Sequence, residues 1–287
     1  MKNLKKLALL LAAPILILSI FLVACSKESS SSSQPLSVFL TDGPGPYDAV
    51  NIDIRAVEVK VDTSRGHMFD DHFGDNDQDG DDHGNPRDQF GTWVSLNFTP
   101  GIYDVLQLRN GLDSLIGTAN ISGTVRKIRI TLGNNNTVVV NGTSFPLTLQ
   151  NPTQNYLYVR LNDRHRGHAP NGIGTAVWVD FDLGRSIVFI NGQYYLRPVL
   201  RPFCNSNFGE IVGKVTPLDA RAIIKVYNAT DSAIAIPNPD GYFKVRGLNA
   251  GVYSVLYDGI SPYTDTTINN VAVTVGRETR LAPVTLR

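Results

Sequence analysis

The strongest constraint on this chain is a run of short apolar/polar alternations between residues 37 and 200, each closed by Gly, Pro or Asn. SVFLT (37–41), VNIDIRAVEVKVD (50–62), TWVSLNF (92–98), IYDVLQL (102–108), VRKIRITL (125–132), TVVVNG (137–142), YLYVRL (156–161), AVWVDFDL (176–183), SIVFI (186–190) and QYYLRPVL (193–200) all follow this pattern. Side chains on a strand point alternately to opposite faces, so such runs bury one face and wet the other. Helical periodicity is missing except over GLDSLIGTA (111–119), where a helix is an alternative. Short, evenly spaced strands of this kind predict an all-β antiparallel sandwich or barrel. Asn141-Gly142 and Asn191-Gly192 are hairpin signals, because both residue types tolerate left-handed backbone, and Asn134-Asn135-Asn136 marks another turn.

Beyond Phe203 the pattern continues in a second module. Asp240-Gly241 turns the chain into YFKV, where Tyr242/Lys244 and Phe243/Val245 alternate, and Gly247 and Gly251 bracket a turn before VYSVLY. The expected organisation is a β-sandwich over 36–203 and a smaller one over 209–287, joined at Asn205-Ser206-Asn207.

The N-terminus carries Lys2, Lys5 and Lys6, then the apolar run 7–24, then Cys25. The run is long enough to span a bilayer, so a retained anchor is one reading. Its ending, Leu22-Val23-Ala24-Cys25, resembles the bacterial lipobox. That resemblance implies a signal peptide over 1–24, acylation of Cys25 by palmitate-type chains, and attachment to the bilayer of the outer membrane. Residues 25–35 are a Ser-rich tether with nothing to bury. Ser26-Lys27-Glu28 is similar to the export signal of Bacteroidetes surface lipoproteins, and a periplasm-facing position is the alternative. With Cys25 acylated, Cys204 has no disulfide partner and is expected as a small buried residue at the domain seam. Loss of 1–24 removes three lysines, leaving 23 basic residues against 26 acidic, which argues against nucleic acid as a partner.

LTDGPGPYDAVNIDI (40–54), GTWVSL (91–96), VRKIRITL (125–132) and WVDFDLGRSIVFINGQYYLRPVLRP (178–202) resemble an uncharacterised bacterial and archaeal lipoprotein domain family of unknown function. The resemblance covers nearly all of 36–203 and implies no activity. GEIVGKVTPLDARAIIKVYN (209–228), PDGYFKVRGLNAGVYSVLYDG (239–259) and NVAVTVGRETRLAPVTL (270–286) are similar to carboxypeptidase-regulatory-like modules. That likeness implies a small sandwich of transthyretin or carbohydrate-binding-like topology, without a peptidase's zinc ligands. Together the two imply an all-β chain of two β-sandwich (Ig/transthyretin-like) domains.

Hydrolase signatures such as G-x-S-x-G, H-E-x-x-H, the P-loop and C-x-x-C are missing. Asp180 and Asp182 in VDFD share one strand face about 7 Å apart, a spacing open to acid/base chemistry. The competing reading is a polar face with Arg185 as counter-charge and Val179 and Phe181 in the core. All five histidines fall in two segments, His67, His72 and His83 in one, His165 and His168 in the other, so a zinc or copper site is a candidate there. Asp231-Ser232-Ala233 and Asp265-Thr266-Thr267 match a D-[ST] pattern of O-glycosylation, with Ser232 and Thr266 as candidate acceptors; Asp113-Ser114-Leu115 matches too.

GDNDQDGDDHGNP (74–86) places Asp75, Asp77 and Asp79 at positions one, three and five of a calcium loop, with Gly80 at the turn and the Asp81 carbonyl next. Pro86 replaces the usual bidentate Glu, so Asp82 or Asp88 would have to close the shell of a weak Ca2+ site. The alternative is a solvated acidic tip, since 65–88 hold eight Asp against two Arg.

The function expected from these features is non-enzymatic: binding or scaffolding at the outer membrane, with a glycan or an envelope protein as partner. Tyr242, Tyr253, Tyr257 and Tyr263 are candidate stacking surfaces for a glycan, although their alternation equally suits a core. An envelope hydrolase or metal-dependent enzyme, and a structural partner of an outer-membrane assembly, are the alternatives.

Overall fold

The computed structural model describes residues 33–43, 45–63, 91–151, 153–168 and 174–287. The expected signal peptide 1–24, Cys25, most of the expected tether, the calcium candidates Asp75, Asp77, Asp79 and Asp81, and His67, His72 and His83 lie outside the described residues.

In chain order the strands to Phe203 are β1 Gln34–Gly43, β2 Ala49–Asp62, β3 Thr92–Ser95, β4 Gly101–Asp104, β5 Ser114–Ile121, β6 Thr124–Leu132, β7 Thr137–Val140, β8 Thr143–Leu149, β9 Tyr156–Arg160, β10 Gly167–His168, β11 Thr175–Asp182, β12 Ile187–Ile190, β13 Gln193–Leu196 and β14 Leu200–Phe203. One sheet runs β10-β11-β1-β5, with β14 also on β11. The larger sheet runs β12-β13-β8-β7-β2-β6-β9, with β3 and β4 along the other edge of the long strand β2. Their inner faces close one core, in which Val38, Leu40, Ile52, Val59, Ile128 and Val179 are buried.

The alternation maps onto these strands as expected, and both Asn-Gly pairs make left-handed hairpin turns, with φ of 50° and 73° at Asn141 and Gly142 and of 50° and 79° at Asn191 and Gly192. Three expectations need correcting. Residues 111–119 hold no helix: Ser114–Ile121 form β5, antiparallel to β1, and Gly117 is there because a Cβ would come within 2.6 Å of the Leu96 side chain. The ladder is not wholly antiparallel, since β1 pairs β11 and β13 pairs β8 in parallel. Strand β11 is covered on both faces, which is the usual condition of a parallel pair and explains why TAVWVDFD is so apolar. Finally, β1 begins at Gln34, inside the stretch expected to be tether, because Gln34 and Pro35 pair with Ile121 and Asn120.

The remaining strands are β15 Gly209–Thr216, β16 Ile223–Tyr227, β17 Ser232–Ala235, β18 Tyr242–Leu248, β19 Gly251–Asp258, β20 Thr266–Val273, β21 Glu278–Arg280 and β22 Val284–Thr285. They make two sheets, β18-β15-β21 with β22 on β15, and β17-β16-β19-β20, around a second core. Tyr253 and Tyr257 are fully buried in it, Tyr257 edge-on to Phe243 at 5.8 Å, so these two tyrosines are core residues; Tyr242 and Tyr263 are half-buried. The Tyr257 hydroxyl has no hydrogen-bond partner among the described residues. A buried unsatisfied polar group is costly, so Tyr257→Phe should raise stability by about 1 kcal/mol at neutral pH in urea unfolding. Burial also pushes the Tyr257 hydroxyl up to about 12. The folded state therefore holds this proton more tightly than the unfolded chain, and the stability tied to it is full below about pH 10 and lost as pH rises towards 12. The variant should show a shallower alkaline decline, and an unchanged slope would contradict the assignment.

Candidate functional site

The four adjacent strands β3, β2, β6 and β9 turn one face to the core and carry an unusual set of side chains on the other. The register aligns Trp93 with Lys60, Lys60 with Lys127 and Lys127 with Arg160. The next row on the same face aligns Ser95 with Glu58, Glu58 with Arg129 and Arg129 with Tyr158, and Tyr156 lies two residues further along β9. The alternation that buries Val57, Val59, Ile128, Ile130, Leu157 and Val159 forces all of these outward.

The outward groups are packed into a plate of rings and cations. The Trp93 and Tyr158 centroids are 6.2 Å apart, and those of Tyr156 and Tyr158 are 6.5 Å apart. The Arg129 guanidinium lies 4.2 Å from the Trp93 ring and 5.5 Å from that of Tyr156. Lys127 Nζ lies 5.1 Å from the Tyr158 ring and Lys60 Nζ 5.7 Å from that of Trp93. Cations held against aromatic faces at these distances are favourable by about 0.5–2 kcal/mol each. That helps offset the cost of covering Lys60 and Lys127, which are only 8% and 3% exposed. Arg129 Nε donates to Glu58 Oε2 at 2.7 Å, and that carboxylate pushes the guanidinium further above its usual value. The result is a guanidinium fixed in orientation beside Tyr156, which is 41% exposed. Chemically, such a face stacks planar or apolar ring faces and donates hydrogen bonds from a set direction.

This face was missed in reading the sequence. The signal was present in the outward half of each period: Glu58/Lys60, Trp93, Lys127/Arg129 and Tyr156/Tyr158 stand where a wetted sheet usually carries Ser, Thr or Lys. What the runs lack is any mark that four strands far apart in sequence lie side by side.

The residues singled out from sequence fall elsewhere. Asp180 and Asp182 share one side of β11, and each is committed. Asp182 Oδ2 accepts from Arg185 Nε at 2.8 Å, as expected, while Asp180 Oδ2 accepts from Arg201 Nη2 at 2.8 Å and Nε at 3.2 Å. Burial pushes the Asp180 carboxyl above the usual range, and the Arg201 guanidinium opposes this. This side of β11 faces the C-terminal module. Arg201 Nη1 also lies 3.8 Å from Asp231, whose Oδ2 accepts from the Tyr253 hydroxyl at 3.0 Å. Arg246 of β18 donates to Thr41 Oγ1 at 2.8 Å and to Asp113 Oδ2 at 3.0 Å, and Asp113 also accepts from Trp178 Nε1 at 2.8 Å. Cys204 is buried at this seam with Ala176, Trp178 and Phe203.

His165 ends a single 3-10 turn, accepts from the Asn162 backbone N–H through Nδ1 at 3.3 Å and stacks on Phe208 with centroids 6.0 Å apart. His168 belongs to β10, and no cluster of three or more His, Cys, Asp or Glu side chains suited to a metal occurs among the described residues. Ser232 is exposed at the start of β17 and Thr266 half-buried at the start of β20.

A family described as a domain of unknown function, DUF4382, matches residues 34–198, more than half of the chain. The chain belongs to this family. The DUF4382 region contains every strand of the aromatic face and ends before Arg201, so the face lies within the family domain and the seam is shared with the C-terminal module. No curated protein matches the chain. Among solved structures, an interface mutant of a type II cohesin–X–dockerin complex from Acetivibrio cellulolyticus is 22% identical over 27% of this chain, with a TM-score of 0.22. This chain spans 56% of that one. GBS52, the minor pilin of Streptococcus agalactiae, is 10% identical, with 88% of this chain and 95% of the pilin covered and a TM-score of 0.21. The shaft pilin of Lactobacillus rhamnosus GG is likewise 10% identical, with 89% and 98% covered and a TM-score of 0.20.

Proposed function

We propose that this protein is a non-enzymatic, lipid-anchored protein of the outer membrane that binds glycans on the outward face of β3, β2, β6 and β9. The observation that carries the reading is the plate formed by Trp93, Tyr156, Tyr158 and Arg129. Its rings can stack on sugar faces, and its donors are held in place rather than waving from a loop. The lipobox resemblance at Cys25 supplies the anchor, and the Ser-rich stretch after it supplies the reach. Commitment of Asp180 and Asp182 to arginines favours binding over hydrolysis. A second reading, docking of an envelope protein, is favoured by the sheet-edge strand β12, where Phe189 and Ile190 stand exposed beside Tyr194.

Affinity electrophoresis of the detergent-solubilised full-length protein, in gels cast with neutral and acidic polysaccharides, separates the two. At least one polysaccharide class should retard the wild type, and Tyr156→Ala/Tyr158→Ala should weaken that retardation about tenfold or more. Free migration in every gel, or equal retardation of the double variant, would rule out glycan binding at this face and leave the β12 edge as the stronger surface.

A further inference from the structure

Arg129 stands at the centre of the plate, and its surroundings define which sugar fits. Its guanidinium lies against Trp93 and beside Tyr156, and Glu58 engages Nε. A guanidinium presents five N–H donors in a planar fork; Glu58 takes Nε and the Tyr158 hydroxyl takes a further donor, which leaves the other Nη donors along the guanidinium plane. Such a fork matches the two oxygens of a carboxylate, and Trp93 and Glu58 hold it in one orientation before any ligand arrives.

We propose that the bound glycan is a carboxylated one, a polymer or chain end bearing uronic acid, whose carboxylate is forked by Arg129 while the sugar ring stacks on Tyr156 and Tyr158. This rests on the glycan-binding reading of the face. The outward positions carry Lys60, Lys127, Arg129 and Arg160 around Glu58, with Asp62 at the end of β2 lying 3.6 Å from Arg126. A single-stranded nucleic acid also needs rings and cations, but it is held by a track of cations along its phosphates. Here Lys60 and Lys127 lie against rings rather than forming such a track, in a chain that carries more acidic than basic residues once 1–24 are removed.

The test compares polygalacturonate, alginate and hyaluronan, each beside its carboxyl-reduced form, with an oligothymidylate as a further probe. Dissociation constants are measured by calorimetry on the full-length protein in detergent micelles. The wild type should bind at least one native polyuronate about tenfold or more tightly than its reduced counterpart, because a charge-assisted two-point contact is lost on reduction. Arg129→Lys, which keeps the charge and loses the fork, should bring native and reduced affinities within about threefold of each other. Equal binding of native and reduced polymers would overturn the carboxylate proposal and leave glycan binding standing. Binding of none of the six would overturn both, and tighter binding of the oligothymidylate than of any polyuronate would reassign the face to nucleic acid. The wild-type comparison decides these outcomes even if Arg129→Lys fails to fold.

Discussion

Arg201→Met is expected to lower the unfolding free energy of the Ser33–Arg287 unit by about 3 kcal/mol or more, because removing one partner of a buried ion pair leaves the other charge uncompensated. Asp180 is 7% exposed and its Oδ2 takes two N–H donors from Arg201. The same guanidinium reaches the Ser232 carbonyl at 3.4 Å and lies near Asp231, so the substitution also unpicks contacts between the two cores. The methyl end of methionine keeps most of the packing, which isolates the charge effect. Replacing both partners, as Asp180→Leu/Arg201→Met, should recover most of the loss, since apolar pairs often substitute for buried ion pairs at little cost. Burial already raises the Asp180 carboxyl, and without Arg201 nothing comparable opposes that shift. A folded-state value raised above the unfolded one gives stability that is present below the unfolded value and lost as pH rises through the folded one. The deficit of Arg201→Met should therefore narrow as pH falls into the ordinary carboxylate range. Urea unfolding followed by emission of the buried Trp178, repeated across pH, measures both effects; a loss under about 1 kcal/mol would show that the seam pair contributes little.

Gly241→Ala should cost a comparable amount, about 3 kcal/mol. Gly241 has φ of 75°, and a Cβ there would come within 2.3 Å of the Val215 carbonyl oxygen. Left-handed backbone alone costs a residue with Cβ roughly 1–2 kcal/mol, and a clash with backbone cannot be relieved by rotating a side chain. Movement of the turn would break the Gly241 N–H bond to the Asn238 carbonyl at 2.8 Å and the Val215 N–H bond to the Gly241 carbonyl at 2.9 Å. These hold the start of β18 against β15. Since Ser33–Arg287 is one unit bound by Arg201 and Arg246, the transition should stay single while its midpoint falls; a separate early transition confined to the C-terminal strands would show that the two cores unfold independently.

How far the sequence carried the architecture depends on the range of the forces involved. Alternation and turn chemistry are local, so the strands, the Asn141-Gly142, Asn191-Gly192 and Asp240-Gly241 turns and the buried members of β2, β6 and β11 could be read from short windows. Residues 111–119 misled because SLIGTANI mixes a buried Ile116 with an exposed Leu115 and a Gly117 dictated by Leu96, a contact no local period reports. The parallel pairing of β1 with β11 joins residues more than a hundred positions apart, which leaves no local trace. Asp180 was paired with the wrong neighbourhood for the same reason: Arg185 is close in sequence and serves Asp182, whereas Asp180 belongs to Arg201 across the ladder from β14. The aromatic face needed both failures to be overcome at once, since its members are ordinary in each strand and unusual only when β3, β2, β6 and β9 are set side by side. The tyrosines of the C-terminal module stood out in sequence because they cluster there, and Tyr253 and Tyr257 cluster because they fill a core.

The central claim, that the β3-β2-β6-β9 face is the ligand surface, is tested most directly by tryptophan emission, because the chain has two tryptophans in opposite settings. Trp93 lies on the face against Arg129, and Trp178 is buried at the seam. Titrating full-length protein with the polysaccharide that retards it most should change its emission saturably, and Trp93→Phe should lose that change while Trp178 still emits. A ligand-dependent change that persists in Trp93→Phe, or saturable binding with no change in Trp93 emission, would place the ligand elsewhere and contradict the assignment.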